Sequence, residues 1–240
     1  MLSNALNFGP YREALARDGA VQIPSVLQDD AAKALAHCLN HEVPWTLAFR
    51  EDGRARTLDA ASYAAFPEPS YAALLRAAAE RSRTQFEFVY DTYMLVRARQ
   101  EGRDPELVLH VMLEFFNSPD FLHFARWMSG EAHLDAINAQ ATRYRPGHFL
   151  NEHNDVDAFE GRRYAYVLNL TAPGWKPEWG GTLRFPASGA HVERSLSPVW
   201  NSLSIFRVPR LHEVLPVAPQ ALLPRLAITG WWLSSEARVG

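Results

Sequence analysis

Three side chains in the second half of the chain have the types and order needed to hold a metal ion. The run YRPGHFLNEHNDVD carries His153 and Asp155 two residues apart. On an extended strand alternate residues project to one face, so that spacing lets the imidazole and the carboxylate converge. His212, in FRVPRLHEVLPV, follows a predicted strand at a proline-rich turn, where a loop can present a third donor. Two imidazoles and one carboxylate on one side of an ion make an open facial site suited to iron(II), with positions left for exchangeable ligands. Other readings share these residues. His153 beside Asn and Asp suits a surface turn, His212 suits a strand end satisfied by backbone, and the same donors suit a zinc hydrolase.

Arg225 opens RLAITGWWL, an otherwise largely apolar predicted strand. A guanidinium buried without a partner costs several kcal/mol, so an arginine there calls for an anion. A dicarboxylate would supply one through bidentate pairing; solvent or an internal acid would also serve. The remaining histidines have no such company. His37 and His41 lie four apart on a predicted helix without a third donor. His148, His110, His123, His133 and His191 read as structural.

The elements that must position these residues change character near residue 140. Before it, alanine-rich amphipathic stretches predict helices over 11–17, 29–41, 70–82, 105–116 and 119–130, several opened by Asp-Asp, Pro-Ser, Asp-Pro or Ser-Pro. The aromatic run Gln85 to Arg97 reads as strand, with Phe86 and Phe88 in the core and Tyr90 and Tyr93 either core as well or walls of a substrate entrance. After it, RRYAYVLNLT, GGTLRF, SLSIFRV and RLAITGWWL are strand-like, separated by turn-rich segments. The fold class expected is α+β: a jelly-roll β core over about 136–240 with helical support over about 1–135, in one domain.

Composition narrows the function classes. The formal charge of −3 gives no electrostatic footprint for nucleic acid. The single cysteine, Cys38, excludes an internal disulfide and a thiolate-rich metal site, and its apolar-periodic surroundings predict a buried thiol. No apolar stretch approaches the ~18 residues of a spanning helix, and the N-terminus has no basic start followed by an apolar run. The expected setting is cytoplasmic, with oligomeric state unread.

The motifs together resemble the prolyl 4-hydroxylase-like branch of the 2-oxoglutarate/Fe(II) dioxygenases. Arg143, Tyr144 and Gly147 match that branch's R-Y-x-x-G segment before H-x-D, YVLNLTAPGW and WGGTLRF match its central strands, and His212-Glu213-Val214 followed by Arg225 through Trp231 matches its close. The resemblance implies a double-stranded β-helix core, with iron(II), 2-oxoglutarate and dioxygen as cofactors and ascorbate as a stimulant. It implies that His153, Asp155 and His212 bind iron and that Arg225 pairs with the far carboxylate of 2-oxoglutarate. Tyr144, Leu183 and Trp231 are placed around the co-substrate, Asn169 where several relatives have a tyrosine, and Arg162 and Tyr93 near substrate. The thirteen-residue interval from His212 to Arg225 is longer than in relatives, with APQALLP as the extra loop. The implied reaction is hydroxylation of an unactivated C–H bond, most simply of a prolyl residue in a protein or peptide. A free amino acid or small metabolite is the alternative substrate, and a jelly-roll metal binder without turnover the alternative function.

Overall fold

Helices form where the sequence supplies starts and stops. In the computed structural model, which describes residues 1–187 and 193–238, helix α1 (Gly9–Asp18) has a proline in its first turn. It stops at Gly19, whose φ of 66° is left-handed and free of a Cβ clash. Helix α2 (Asp29–His41) places two aspartates at the positive end of its dipole and buries Ala32, Leu35, Cys38 and Leu39 as one stripe. Burial pushes the Cys38 thiol up to about 12, with Glu42 adding to the shift, so the thiol is inert. Next come α3 (Ala60–Ala64), capped by Asp59, α4 (Glu68–Arg81), α5 (Leu95–Gln100) and α6 (Val108–Phe116). Helix α7 (Pro119–Ser129) is capped by the Ser118 hydroxyl, which accepts from the Phe121 N–H, and ends at Gly130. No helix among the described residues is long and apolar enough to cross a membrane.

The strands are β1 (Ala20–Pro24), β2 (Thr46–Glu51), β3 (Arg54–Leu58), β4 (Phe88–Tyr93), β5 (Ala136–Ile137), β6 (Gln140–Tyr144), β7 (Phe149–His153), β8 (Arg162–Asn169), β9 (Leu183–Phe185), β10 (Arg194–Leu196), β11 (Ser202–Arg207), β12 (His212–Val214) and β13 (Arg225–Leu233). They pair antiparallel in the order β1-β11-β8-β13-β6-β4-β7-β12-β9-β10, with β2, β3 and β5 off this path. Strand β4 turns the corner: Asp91 to Tyr93 pair with β6, while Phe88 and Val89 pair with β7. Side chains bring the two ends of the path together. Arg194 Nη1 donates to the Ala20 carbonyl at 2.7 Å, and Gln22 Nε2 to that of Ser197 at 2.9 Å. The result is a nearly closed antiparallel barrel of jelly-roll type, as the sequence led us to expect.

Strand β8 shows why its sequence is apolar throughout. Tyr164, Tyr166 and Leu168 pack outward into the main core with Leu39, Phe116, Phe121 and Trp232. Ala165 and Val167 face the barrel interior with Leu183, Phe185, Phe206 and Ala227. Both faces are covered, and each large side chain so buried stabilises the fold by about 1.5–3 kcal/mol.

Three expectations need correction. Strands β1 and β4 are members of the sheet, so the β core does not begin near residue 136. The strand expected over 85–97 ends at Tyr93, and Leu95–Gln100 is helix, with Leu95 and Ala98 buried one turn apart. The helix expected from Pro105 starts at Val108, because Asp104 takes a left-handed φ of 47° and accepts a hydrogen bond from the Tyr93 hydroxyl at 2.7 Å. The β2–β3 hairpin was not anticipated. Its two turn residues, Asp52 and Gly53, have φ of 50° and 73°, the paired left-handed conformations that Asp-Gly favours in a two-residue hairpin.

A polar network is buried behind β6. Asp91, fully buried, accepts from Arg143 Nε at 2.7 Å and from the Tyr63 hydroxyl at 2.8 Å. Arg145 donates to the hydroxyls of Tyr63 and Tyr71, and the Tyr71 hydroxyl lies 2.6 Å from His148 Nε2. His148 Nδ1 faces the Arg143 carbonyl. Burial and the neighbouring Arg145 hold His148 down at about 3, so it is neutral. Burial raises Asp91 to about 6 even though Arg143 opposes the shift.

Candidate metal centre and its cavity

His153 is the last residue of β7 and pairs directly across from His212, the first residue of β12. Their ring centroids are 4.1 Å apart. His212 is therefore presented by a strand rather than by the proline-rich turn. Asp155 lies two residues beyond β7, where its φ of 61° places it in the left-handed region that Asp tolerates. That turn, and not a shared strand face, carries its carboxylate back between the rings. Asp155 Oδ1 is 3.3 Å from His153 Nε2, and Oδ2 is 3.2 Å from His212 Nε2. The three candidate ligand atoms lie within 4.8 Å of one another, a group that could hold a metal ion.

The imidazoles are held in one orientation. His153 Nδ1 donates to the Asn151 carbonyl and His212 Nδ1 to the Arg210 carbonyl, each at 2.8 Å. A carbonyl only accepts, so both protons sit on Nδ1 and both Nε2 lone pairs are aimed at the common point. Burial works to raise the Asp155 carboxyl, but the two facing imidazoles outweigh it and keep it well below the ordinary range. This donor set fits a divalent metal with an open face.

The group opens into a cavity of about 240 Å³. One wall is a run of neighbouring aromatic rings. Phe86 lies 6.0 Å from His153, Phe86 and Phe88 are 5.9 Å apart, Phe88 and Tyr90 5.6 Å, and Tyr90 stacks on Tyr144 at 5.3 Å. Arg225 lies over Tyr144 at 5.0 Å, so the run leads from a candidate ligand to this guanidinium. Arg225 is 2% exposed, and its Nε and Nη1 have no hydrogen-bond partner. Burial lowers its pKa from the ordinary value. Gly181 leaves room beside it, for a Cβ there would come within 3.3 Å of Arg225 Cδ.

Tyr144, Leu183, Trp231 and Arg162 also line this cavity. The Arg162 guanidinium sits over the Trp231 ring at 3.6 Å, donates to Glu160 at 2.8 Å and reaches the Asp155 carbonyl at 3.3 Å. Two other expected residues are not in the lining. Asn169, buried, donates to Ser202 Oγ at 3.3 Å and leaves Oδ1 unpartnered. Tyr93 is buried in the main core and donates to Asp104. The sequence reading also missed part of the wall. Phe86 and Phe88 line the cavity instead of the core, whereas Val89, Asp91 and Tyr93 occupy the buried face of β4. Phe206, edge-on to His212 at 4.6 Å, was overlooked as one apolar residue among many. His191 lies outside the described residues, and no second metal-binding group is found among those described.

Residues 139–233 match the model of the 2OG-Fe(II) oxygenase superfamily. No curated protein matches the chain by sequence. Solved structures similar in fold include a Pseudomonas putida prolyl-4-hydroxylase, 21% identical over 98% of this chain and 96% of that one, with a TM-score of 0.58. A Burkholderia pseudomallei oxidoreductase of the 2OG-Fe(II) oxygenase family is 13% identical over 96% and 92%, with a TM-score of 0.61. A Trichoplax adhaerens prolyl hydroxylase, in complex with a hypoxia inducible factor oxygen degradation domain peptide fragment, is 15% identical over 95% and 89%, with a TM-score of 0.60. The expected resemblance is thereby borne out, and with it the enzyme class and the cofactors iron(II), 2-oxoglutarate and dioxygen.

Proposed function

We propose that the chain acts as one oxygenase domain that hydroxylates an unactivated C–H bond, its target a prolyl residue in a protein or peptide. In this reading His153, Asp155 and His212 hold the iron, and Arg225 pairs with the far carboxylate of 2-oxoglutarate. The observation that carries it is the buried Arg225, whose two unpartnered nitrogens belong to the same cavity as the three candidate ligands. Bound iron(II) supplies the oxidising chemistry, in which 2-oxoglutarate is decarboxylated to succinate and one oxygen atom is delivered to the substrate carbon.

The chain's own residues orient and exclude. Arg225, which lies over the Tyr144 ring, would hold one end of the co-substrate, with Leu183 and Val214 in the apolar lining. The ring wall and Trp231 keep water from the reacting centre. Arg162, held on Trp231 beside the Asp155 carbonyl, is positioned to meet substrate backbone. A polypeptide target is supported by volume. Small-molecule pockets usually enclose about 300–1,000 Å³, whereas about 240 Å³ must also house the co-substrate. Most of the substrate then lies outside, as a chain crossing the mouth does. A cytoplasmic setting accords with a single, buried, unpaired cysteine.

The test is incubation with iron, 2-oxoglutarate and host lysate, followed by mass spectrometry for one added oxygen on proline. Robust succinate formation with a free amino acid or small metabolite, and no modified protein, would overturn the polypeptide reading.

A further inference from the structure

Beside the three candidate ligands lies a second cavity of about 380 Å³, whose walls include Arg17, Asn154, Arg207, Arg210 and Leu211. Asn154 sits between His153 and Asp155, and Leu211 immediately precedes His212. The cavity therefore begins one residue from the candidate ligands on two separate segments.

Its charge is one-sided. Arg17 is taken up by Asp18 through hydrogen bonds of 2.8 and 2.9 Å. Arg207, Arg210 and the neighbouring Arg194 have no carboxylate within 4.0 Å among the described residues. Their hydrogen bonds go to neutral oxygens: Arg194 to the Ala20 carbonyl at 2.7 Å, Arg207 to the Tyr164 hydroxyl at 3.2 Å, Arg210 to the Asp18 carbonyl at 2.8 Å. Arg210 also rests over the Phe185 ring at 4.7 Å, which fixes its head. Several arginines elsewhere are paired with acids: Arg81 with Glu87, Arg97 with Glu101, Arg143 with Asp91, Arg184 with Glu213.

Guanidiniums held together, with the neighbouring Asp18 already engaged by Arg17, favour an incoming anion, and their planar forks match carboxylates. We propose that this basic cavity seats an acidic segment of the polypeptide substrate, taking Asp or Glu side chains that flank the residue presented to the metal centre. The inference rests on the polypeptide reading above. An extended chain advances about 3.3 Å per residue, so carboxylates within a few residues of the target reach the cavity. A nucleic acid is the poorer fit, since three cations on a chain of net charge −3 make a short patch and not a stripe.

The test uses iron- and 2-oxoglutarate-loaded protein without oxygen, and fluorescence anisotropy with labelled (Glu-Pro)4, (Gln-Pro)4, (Lys-Pro)4 and an eight-nucleotide oligouridine. The glutamyl peptide should bind about tenfold or more tighter than the glutaminyl one, with an advantage that falls as salt rises. Arg207→Glu should abolish that advantage and favour the lysyl peptide, while 2-oxoglutarate affinity stays unchanged. Equal binding of the glutamyl and glutaminyl peptides overturns the inference, as does tighter binding of the oligouridine. Loss of 2-oxoglutarate binding in the unaltered protein would instead overturn the oxygenase assignment of the site, which that separate titration distinguishes.

Discussion

Replacing Arg225 by methionine should move stability and ligand binding in opposite directions. Without co-substrate the guanidinium is a buried cation with two idle nitrogens, compensated only by its contact with the Tyr144 ring. Replacing a buried charge by an apolar side chain of similar volume commonly gains about 1–4 kcal/mol. The lost cation–π contact takes back about 0.5–2 kcal/mol, so the balance favours the variant by about 1–2 kcal/mol. For a chain of this size that is a rise in Tm of roughly 2–8 °C. With 2-oxoglutarate the sign reverses. Losing a charge-assisted pair costs about 2–5 kcal/mol, or about 30- to 5,000-fold in affinity. Thermal melts with and without 2-oxoglutarate, paired with oxygen-free calorimetric titration, measure both terms. At 100 times Kd the unaltered protein gains about 2.7 kcal/mol from the ligand, a shift the variant should lack. A variant that is less stable alone yet binds 2-oxoglutarate normally would refute the reasoning, because Arg225 would then be satisfied internally and idle in binding.

Other outcomes follow from the same geometry. Alanine at His153, Asp155 or His212 should each remove stoichiometric iron binding, read by metal content, and leave the circular dichroism spectrum native; any variant that keeps full affinity is not a ligand. His148, pulled down to about 3, is neutral in the fold but takes a proton in the unfolded chain below its ordinary 6.5, so its contribution is present above pH 6.5 and is lost as pH falls towards 3. The stability difference between the unaltered protein and His148→Gln should therefore shrink by about 1.4 kcal/mol per pH unit below 6.5 in denaturant titrations; a constant difference would place the proton elsewhere. Asp91, raised to about 6, acts the other way between about pH 4 and 6 in both proteins, since there the fold keeps a proton that the unfolded chain releases. Gly230→Ala brings a Cβ within 2.2 Å of the Asn138 carbonyl oxygen and should destabilise by about 2–3 kcal/mol or more, checked by urea unfolding.

The jelly roll was legible because its strands are short, apolar and bounded by turn residues, and the candidate ligands because three donors of suitable type occur in the right order. What the sequence concealed is mostly a matter of facing. Tyr90 and Tyr93 are three apart and cannot share a strand face, so one substrate wall cannot hold both; a strict period of two joins Tyr90 to Phe88 and Phe86 and sends Tyr93 inward. Asp155 joins the candidate group by a route that the two-residue spacing does not show, since a left-handed residue and not a shared strand face does the turning. The Asp-Gly turn of the β2–β3 hairpin was a readable signal left unused. The cross-strand pairing of His153 with His212 had no sequence signature, because register is set by the bulge between His212 and Val214.

The corner made by β4 bears on which part of the chain can stand alone. The segment that carries the superfamily's sequence pattern, residues 139–233, excludes both β1 and β4. Cut out by itself, it would expose the bare edges of β11, β6 and β7, three rows of amides and carbonyls with nothing to bond but another molecule. The stretch most recognisable by its letters is thus a poor unit of expression. Shortening the chain to it should yield aggregates, whereas a nick at the Asp52-Gly53 tip leaves every pairing of the ten-strand path in place.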